Sequence, residues 1–352
     1  MPSFPADAII DLATSHLASA DIPGATIALI VDGEPWTVAV GHADLDRTRP
    51  LAPKAVFPLY SITKTIVATL LLHMIERKES MSLDDTLQQR LPDFPIDHPI
   101  LIRQVLNHTA GLPDYGSIAT YHRDLQDHPD QPWSPSRFHA ETLTDGLLFI
   151  PGHGWRYSNI GYMLLRQIVE AESGLPLSLL LQQVLVSPYG LTSFGVATRL
   201  AEMHPLTPGF STSLNPESRI ENVTSRYHPG WVAHGLVVGN ALDTARFLWL
   251  LLGERRILDA ILVNEMLLET PVDTTHPWMR RPAYGLGLMI DRANPYGVVA
   301  GHTGGGPGYS TAAYHFPAVN GRQVTATVLV NRDGADTASE LVFQVIEHLA
   351  TS

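Results

Sequence analysis

Strand-like apolar runs stand near both ends of this chain, and helix-like segments fill the middle. Near the beginning, "ATIALIVDGEPWTVAVGHA" contains two such runs around Asp32-Gly33, a dipeptide typical of a tight hairpin turn. Toward the end, four more runs follow in "YGLGLMI", "YGVVAGH", "YSTAAYHF" and "QVTATVLV". This order predicts one antiparallel sheet that is built from both ends of the chain.

Helical periodicity flanks and fills that arrangement. An amphipathic helix opens the chain, and its apolar side holds Ile9, Ile10, Leu12, Ala13 and Leu17. The segment "TASELVFQVIEHLA" predicts a closing helix. Between them, helical spacing occurs in "LIRQVLNHTAGL", "IGYMLLRQIVEAESG" and "ALDTARFLWLLLGERRI", the last with Asp243 as a plausible N-cap.

We therefore predict an α+β fold in which terminal helices flank the antiparallel sheet. Residues 1–60 and 280–352 form an α/β subdomain, and residues 61–279 form a large, mainly helical inserted subdomain. The functional site is expected at the interface between them. Within the insert, "YHRDLQDHPDQPWSPSRFH" is typical of a binding loop, and residues 115–140 are expected to form a lid.

Composition excludes several classes of function. The net charge of −12 leaves no basic face for phosphates, so nucleic-acid partners are not expected. The chain has no cysteine, and its 16 histidines form no HExxH motif or tight cluster, so neither a metal nor a cofactor is expected. No run approaches the ~20 apolar residues of a membrane span, and the N-terminus does not resemble a secretory signal. We expect a cytoplasmic protein without a membrane partner; its oligomeric state is left open.

The stretch "FPLYSITKTIVATLLLHMIERKE" places Ser61 and Lys64 three residues apart at the head of an almost wholly apolar helix. Residues at this spacing share one helix face, so their side chains can meet. Burial would lower the pKa of the Lys64 amine and make it a usable base, while the helix N-terminus would favour negative charge at Ser61. The alternative interpretation is a capping serine followed by a solvated lysine. The pair alone does not decide between the two.

Two further motifs accompany this pair. Tyr157-Ser158-Asn159 opens a helical run in "GWRYSNIGYMLL", and His302-Thr303-Gly304 ends a strand-like run in "GHTGGGPGY". The small residues of "HTGGG" would let a substrate backbone lie along the strand edge. A glycine-rich phosphate loop is excluded because no Gly-Lys-Ser/Thr follows.

Ser-x-x-Lys, Tyr-x-Asn and Lys/His-Thr-Gly, in this order, resemble the serine β-lactamase and penicillin-binding-protein family. The Tyr-x-Asn form is most similar to the class C β-lactamase branch, the serine peptidase S12 type. That branch includes D-Ala-D-Ala carboxypeptidases, D-aminopeptidases and related esterases. The segments "VLNHTAGLPDY" and "YGLGLMI" are also similar to the family, so the resemblance covers most of the chain and implies its β-lactamase/transpeptidase-like fold.

The resemblance also implies roles for individual residues. Ser61 would be the nucleophile, with Lys64 and Tyr157 managing its proton. A phenol beside the Lys64 ammonium would have a lowered pKa and could act as general base. The backbone N–H groups of Ser61 and Gly305 would form the oxyanion hole. The implied substrate-binding residues are Asn159, His302, Thr303, Gly304, Gly305 and Tyr115.

The chain departs from the β-lactamase pattern at two places. His302 stands where most β-lactamases of the group carry lysine, and a histidine is largely neutral at pH 7, which argues against efficient β-lactam hydrolysis. The glutamine that follows "GLP" in class C enzymes is replaced by Asp114-Tyr115, where the tyrosine could form a stacking wall. Arg280 and Arg281 could anchor a substrate carboxylate or could simply be solvated.

These observations predict a serine hydrolase that works through an acyl-enzyme on small-molecule or peptide substrates. Small esters or amides are favoured, with D-amino-acid peptides or amides as one candidate class. The alternatives are a β-lactamase, a penicillin-binding protein that acylates but turns over slowly, and a scaffold that retains a relic site.

Overall fold

The computed structural model of the protein describes residues 4–77, 81–334 and 337–351. Its helices are α1 (Ala6–Ser19), α2 (Ile62–Arg77), α3 (Leu87–Arg90), α4 (Ile102–Leu106), α5 (Ala119–Asp127), α6 (Pro135–Leu143), α7 (Asn159–Ser173), α8 (Leu177–Leu181), α9 (Ser187–Tyr189), α10 (Ala241–Leu248), α11 (Ala260–Met266) and α12 (Thr337–Thr351). Short 3₁₀ turns lie at Tyr115–Ser117, Leu200–Glu202 and Pro229–Trp231. Within these described ranges, no helix is long and apolar enough to cross a lipid bilayer.

The strands form one large sheet and two small ones. They are β1 (Gly24–Val31), β2 (Glu34–Gly41), β3 (Phe57–Pro58), β4 (Gly195–Ala197), β5 (Phe210–Ser211), β6 (Glu221–Asn222), β7 (Leu236–Gly239), β8 (Thr270–Pro271), β9 (Pro282–Tyr284), β10 (Met289–Asp291), β11 (Val299–Gly306), β12 (Tyr309–Val319) and β13 (Arg322–Val330). The large sheet has the order β2-β1-β13-β12-β11-β10-β9-β8, and its neighbouring strands pair antiparallel. The predicted sheet from both chain ends is confirmed.

The hairpin that opens the sheet follows from its turn residues. Asp32 and Gly33 have φ values of 49° and 91°, and Val31 pairs with Glu34 across them. Positive φ at both central residues is the geometry that twists in the same sense as the flanking strands, and Asp-Gly tolerates it well. The turn fixes the register of the hairpin, and successive side chains of β1 point to opposite faces of the sheet. Leu29 and Val31 are therefore buried on one face, and Ala28 and Ile30 are buried on the other.

The two faces of the sheet are covered by different parts of the chain. One face packs against α1 and α12, which bury Ile9, Leu17 and Leu341 in a compact apolar cluster. The other face packs against α10 and the helical middle of the chain, including α2. The site described below lies on this second face. The predicted division into two subdomains at residues 60 and 280 stays a prediction. β8 belongs to the large sheet although it lies about ten residues before the second of these boundaries.

Two helical predictions are wrong in detail. The segment "LIRQVLNHTAGL" is helical only over Ile102–Leu106. The helix expected to start at Asp243 instead starts at Ala241, because the side chain of Asn240 accepts the Asp243 N–H at 2.8 Å and caps it. The Asp243 carboxylate accepts a hydrogen bond from the Ser193 N–H at 2.8 Å.

Two predictions of extended or irregular structure are also wrong. "YGLGLMI" is not one strand: β9 ends at Tyr284, Gly287 turns the chain with φ 78°, and β10 begins at Met289. A Cβ at Gly287 would lie 2.6 Å from the Ala68 side chain of α2, so the turn approaches the helix too closely for any other residue. The loop expected over "YHRDLQDHPDQPWSPSRFH" instead contains most of α5 and the start of α6, which Ser134 caps. The lid expected at residues 115–140 stays a prediction.

Candidate active site

The N-terminal ends of α2 and α7 and the last residues of β11 meet around an open cavity of about 530 Å³. Its walls contain polar, aromatic and glycine residues rather than aliphatic ones. They are Ser61, Asp114, Gly116, Ser117, Trp155, Arg156, Tyr157, Thr274, Met289, Thr303, Gly304 and Gly305. The three sequence motifs, far apart along the chain, therefore come together at one place.

Ser61 directly precedes α2 and follows a residue in the left-handed region. Tyr60 has φ 46°, an unusual conformation for a side chain of this size, and its buried hydroxyl donates to the Pro307 carbonyl at 2.8 Å. The Lys64 N–H donates to the Ser61 carbonyl at 3.0 Å and starts the first helical turn. The tertiary contacts of Tyr60 thus hold the backbone so that Ser61 faces the cavity.

Lys64 is completely buried beneath Ser61. Its Nζ lies 3.0 Å from Ser61 Oγ and donates to Asn159 Oδ1 at 2.7 Å. Burial lowers the pKa of Lys64 to about 7, although the negative charge of Asp114 opposes the shift. A large fraction of the amine is therefore uncharged near neutral pH, and its lone pair can accept the Ser61 proton.

The start of α7 positions the next two groups. Ser158 caps the helix by accepting the Gly161 N–H at 3.2 Å, which places Tyr157 just outside the helix and Asn159 in its first turn. Asp114 accepts hydrogen bonds from the backbone N–H and from Nδ2 of Asn159, at 2.8 and 3.3 Å. Because a carboxylate only accepts, this contact turns the Asn159 amide oxygen toward Lys64.

Tyr157 contacts both members of the Ser-x-x-Lys pair. Its ring centroid lies 4.8 Å from Lys64 Nζ, and its hydroxyl forms a hydrogen bond with Ser61. The expectation of a lowered pKa is wrong: burial and the charge of Asp114 raise the pKa of Tyr157, and the Ser61 hydrogen bond offsets this only in part. The phenol therefore keeps its proton near neutral pH. In this state Tyr157 can donate a proton but cannot accept one as a base.

His302 lies behind the cavity wall rather than in it. Its Nδ1 donates to the Thr303 carbonyl at 2.5 Å, and its Nε2 accepts from the Tyr284 hydroxyl at 2.8 Å. Burial and the nearby Lys64 lower the pKa of His302 to about 3. The imidazole is therefore neutral, in keeping with the expectation from sequence, and supplies no cation for a substrate carboxylate.

The strand edge next to Ser61 is open. β10 pairs with β11 only from Val299 to Gly301, so the edge beyond faces the cavity through Thr303, Gly304 and Gly305. A Cβ at Gly304 would lie 2.3 Å from the Leu59 carbonyl and 3.1 Å from the Ser61 nitrogen, whereas one at Gly305 would meet nothing within 4 Å. Close packing at Gly304 thus brings the strand against the Ser61 backbone.

The remaining predicted binding residues lie elsewhere. Tyr115 is buried with Tyr121 and Phe138, and its hydroxyl accepts the Ala233 N–H at 3.2 Å, so it is not among the residues that line the cavity. Arg281 pairs with Glu269, and neither Arg280 nor Arg281 lines the cavity. The exposed cation at the rim is instead Arg156.

Sequence reasoning also missed several groups that the structure places at the site, among them Asp114, Trp155 and Arg156. Trp155 and Arg156 directly precede Tyr157, so adjacency to the motif was the available signal for both. Asp114 was noted only as a departure from the family, not as an acceptor for Asn159. No group of three or more potential metal ligands occurs within the described part of the chain.

Comparison with known proteins places this geometry in a family. Residues 9–350 match the Beta-lactamase family. A penicillin-binding protein of Bacillus subtilis (strain 168) is 27% identical over 326 residues, which cover 88% of this chain and 68% of the relative. Esterase EstB of Burkholderia gladioli is 31% identical over 173 residues, 45% of this chain and 42% of the esterase. The match therefore spans less than half of the esterase.

Among solved structures, the D-amino acid amidase from Ochrobactrum anthropi SV3 complexed with D-phenylalanine is similar along its whole length. The TM-score is 0.81 and the identity 25%, with 99% of each chain covered. The protein belongs to the Beta-lactamase family, and it is a serine hydrolase of the β-lactamase fold.

Proposed function

We propose that the protein hydrolyses esters or amides of small amino acids, with D-amino-acid amides and peptides foremost, through an acyl-enzyme on Ser61. The contact of a completely buried Lys64 with Ser61 Oγ at 3.0 Å carries this proposal. The pKa of about 7 lets Lys64 exist as a free amine at neutral pH, and a nucleophilic serine needs such a base within hydrogen-bond reach.

In the acylation step, Lys64 takes the Ser61 proton as Ser61 Oγ bonds to the substrate carbonyl carbon. The developing oxyanion is held by the backbone N–H groups of Ser61 and Gly305, and each such donor contributes about 2.7–4 kcal/mol of transition-state stabilisation. The bond to the leaving group then breaks, and Tyr157, still protonated because its pKa is raised, donates the proton that the amine or alcohol needs. The Lys64 ammonium then passes its proton to the Tyr157 phenolate, so that Tyr157 is again protonated and Lys64 is again neutral before deacylation.

In the deacylation step, water attacks the ester carbonyl of the acylated Ser61. Lys64, neutral again, takes a proton from that water, and the proton returns to Ser61 Oγ as the acid leaves. The substrate backbone lies along the open β11 edge at Thr303 to Gly305, as an added strand would.

The charges around the cavity favour an acyl group that carries an ammonium. Asp114 lines the cavity with a carboxylate, which accepts hydrogen bonds from the backbone N–H and from Nδ2 of Asn159. The α-ammonium of a substrate near Asp114 is attracted by the opposite charge of the carboxylate, whereas a substrate carboxylate there is repelled. The neutral His302 gives no compensating cation on the strand side, which disfavours β-lactams. The likeness to the D-amino acid amidase supports the D configuration.

Intact-protein mass spectrometry tests the acyl-enzyme itself. We expect p-nitrophenyl butyrate to add its acyl mass transiently to the native protein and not to Ser61→Ala. With the same ester, kcat/KM should fall about tenfold per pH unit below pH 7, because protonation of Lys64 removes the base. Equal labelling of Ser61→Ala would refute the proposed nucleophile.

Substrate preference is tested with a matched set of anilides. We expect D-alanine p-nitroanilide to be hydrolysed at least tenfold faster than its N-acetyl derivative and than the L isomer. Asp114→Asn removes the charge and keeps one of the two acceptor oxygens that Asn159 uses, so it should abolish most of the preference for the free amine. An unchanged preference in Asp114→Asn would show that another group selects the ammonium.

Penicillin binding with slow turnover is the second candidate, favoured by the Bacillus subtilis relative and by Arg156 at the rim. A penicillin adduct on Ser61 that persists for hours, together with no turnover of the D-alanine anilide, would support this candidate over the first. The cytoplasmic location stays a prediction.

A further inference from the structure

A histidine outside all three motifs lies beside the proposed base. His234 belongs to the short connection between the Pro229–Trp231 turn and β7, and only 2% of its surface is exposed. Its Nε2 lies 3.5 Å from Lys64 Nζ. The ring has no place in the mechanism described so far.

We propose that His234 is a positioning residue that holds one N–H of Lys64, so that the amine lone pair points at Ser61. The inference rests on the proposed acyl-enzyme route. It assigns His234 no contact with the substrate and no proton transfer of its own.

The argument starts from the hydrogen-bond capacity of Lys64. A neutral amine has two N–H groups and one lone pair, and three groups surround Nζ: Asn159 Oδ1 at 2.7 Å, Ser61 Oγ at 3.0 Å and His234 Nε2 at 3.5 Å. The contacts of Asp114 with Asn159 fix its amide oxygen as an acceptor, so one N–H is committed there. The remaining N–H and the lone pair are divided between Ser61 and His234.

The tautomer of His234 decides that division. If Nε2 is unprotonated, it accepts the second N–H, and the lone pair is left for the Ser61 hydroxyl. If Nε2 carries the proton, it takes the lone pair, and Lys64 donates to Ser61 Oγ instead, which cannot activate it. The productive arrangement therefore requires the His234 proton on Nδ1.

The surroundings of His234 favour the neutral ring that this arrangement needs. Burial and the charges of Lys64 and Arg166 lower its pKa. Nδ1 has no hydrogen-bond partner among the described residues, and an interaction with the backbone of Tyr60 raises the pKa of the ring but offsets the lowering only in part. When Lys64 is an ammonium, Nε2 accepts its third N–H, so the same tautomer serves both states of the cycle.

The connection that carries His234 is fixed on both sides. The Tyr115 hydroxyl accepts the Ala233 N–H at 3.2 Å, and the Val237 N–H donates to Thr63 Oγ1 in α2 at 3.1 Å. Gly235 has φ 94°, and a Cβ there would lie 2.9 Å from the Leu177 side chain. Tyr115, which does not line the cavity, thus acts on the site through the segment that presents His234.

Substitutions that differ in reach provide the test. Gln places an amide oxygen near the position of Nε2, Asn carries the same amide one methylene shorter, and Leu offers a similar volume without an acceptor. We expect His234→Gln to keep the acylation rate constant within about fivefold, while His234→Asn and His234→Leu lose about 100-fold in kcat with KM little changed. His315→Leu, at a buried histidine in β12, is the matched control and should retain the rate.

Two outcomes would overturn the proposal. One is acylation by His234→Leu within threefold of the native rate; the other is a loss in His234→Gln as large as that in His234→Leu. The tautomer is measured independently on native protein, by nitrogen-15 NMR of the histidine rings. A proton on Nδ1 of His234 is expected, and a proton on Nε2 would contradict the assignment even if every variant failed to fold. Absence of any acylation in native protein would instead count against the proposed function.

Discussion

The two faces of the large sheet bury different kinds of side chain. Between the sheet and the terminal helices the core is apolar and aromatic, as where Phe316 of β12 meets Phe343 of α12 edge to face at 5.5 Å. On the opposite face, an amine and three imidazoles are buried together: Lys64, His108, His234 and His302. Burial lowers the pKa of each of the four.

This difference shows how the molecule separates stability from chemistry. The terminal-helix face contributes to the stability of the fold through buried apolar area and close packing. Many side chains of suitable volume can supply both. The site face removes titratable groups from water and keeps them uncharged, which costs free energy of folding but yields a neutral base next to a hydroxyl. A substitution should therefore affect activity or stability according to the face on which it falls.

The largest effect is expected for Lys64→Met. Loss of the base should lower kcat/KM about 1,000-fold or more, while the apolar side chain should raise the free energy of unfolding by about 1–2 kcal/mol at pH 7. The pKa of Lys64 is depressed from 10.5 to about 7 on folding, so the native protein gains stability as pH rises between those values. The advantage of the variant should shrink toward pH 10. Urea unfolding of the native protein and the variant at pH 7 and pH 10 measures this difference in stability. A difference that grows toward pH 10 would contradict the lowered pKa of Lys64.

The opposite pattern is expected for Phe316→Ala on the terminal-helix face. Removal of a completely buried ring leaves a cavity and should cost about 3–5 kcal/mol of unfolding free energy. Ester hydrolysis below the unfolding temperature should keep its native kcat/KM, because Phe316 lies on the face away from Lys64. Phe316→Leu, which keeps most of the volume, is the control and should cost roughly 1–1.5 kcal/mol. A kinetic defect in Phe316→Ala would mean that the two faces are coupled.

The smallest effect is expected at the cap of α10, which packs on the site face but away from the cavity. Asn240→Ala should cost about 1 kcal/mol of stability without a change in kcat, since it removes only the acceptor for the Asp243 N–H. Asn240→Asp keeps that acceptor and should be nearly neutral. Thermal unfolding with a parallel ester assay measures both. Loss of activity in Asn240→Ala alone would extend the catalytic region to this helix.

Much of the fold could be read from local patterns. The Asp32-Gly33 turn and the three-residue spacing of Ser61 and Lys64 each depend on geometry within a few residues, and the structure places them as predicted. Competition between local signals was harder to judge, because Asn240 and Asp243 are both favourable N-cap residues and the structure uses Asn240.

The rest of the site depends on contacts that sequence spacing does not encode. His234 reaches Lys64 from 170 positions along the chain and belongs to no motif. The pKa of Tyr157 was predicted in the wrong direction because the neighbouring cation was foreseen, but the desolvation of the hydroxyl and the nearby Asp114 were not. Desolvation is a property of the assembled structure, so its size could not be inferred from motif order.

The position of β1 between β2 and β13 has a consequence for synthesis on the ribosome. β1, formed by Gly24–Val31, pairs on one side with β2 and on the other with β13, formed by Arg322–Val330. While the chain is being made, the β1–β2 hairpin can form early, but its second edge has no partner until the last strands leave the exit tunnel. Pairings between such distant segments form slowly, and an unpaired apolar edge invites association with other chains. This edge of the hairpin therefore stays without its native partner until β13 has left the tunnel.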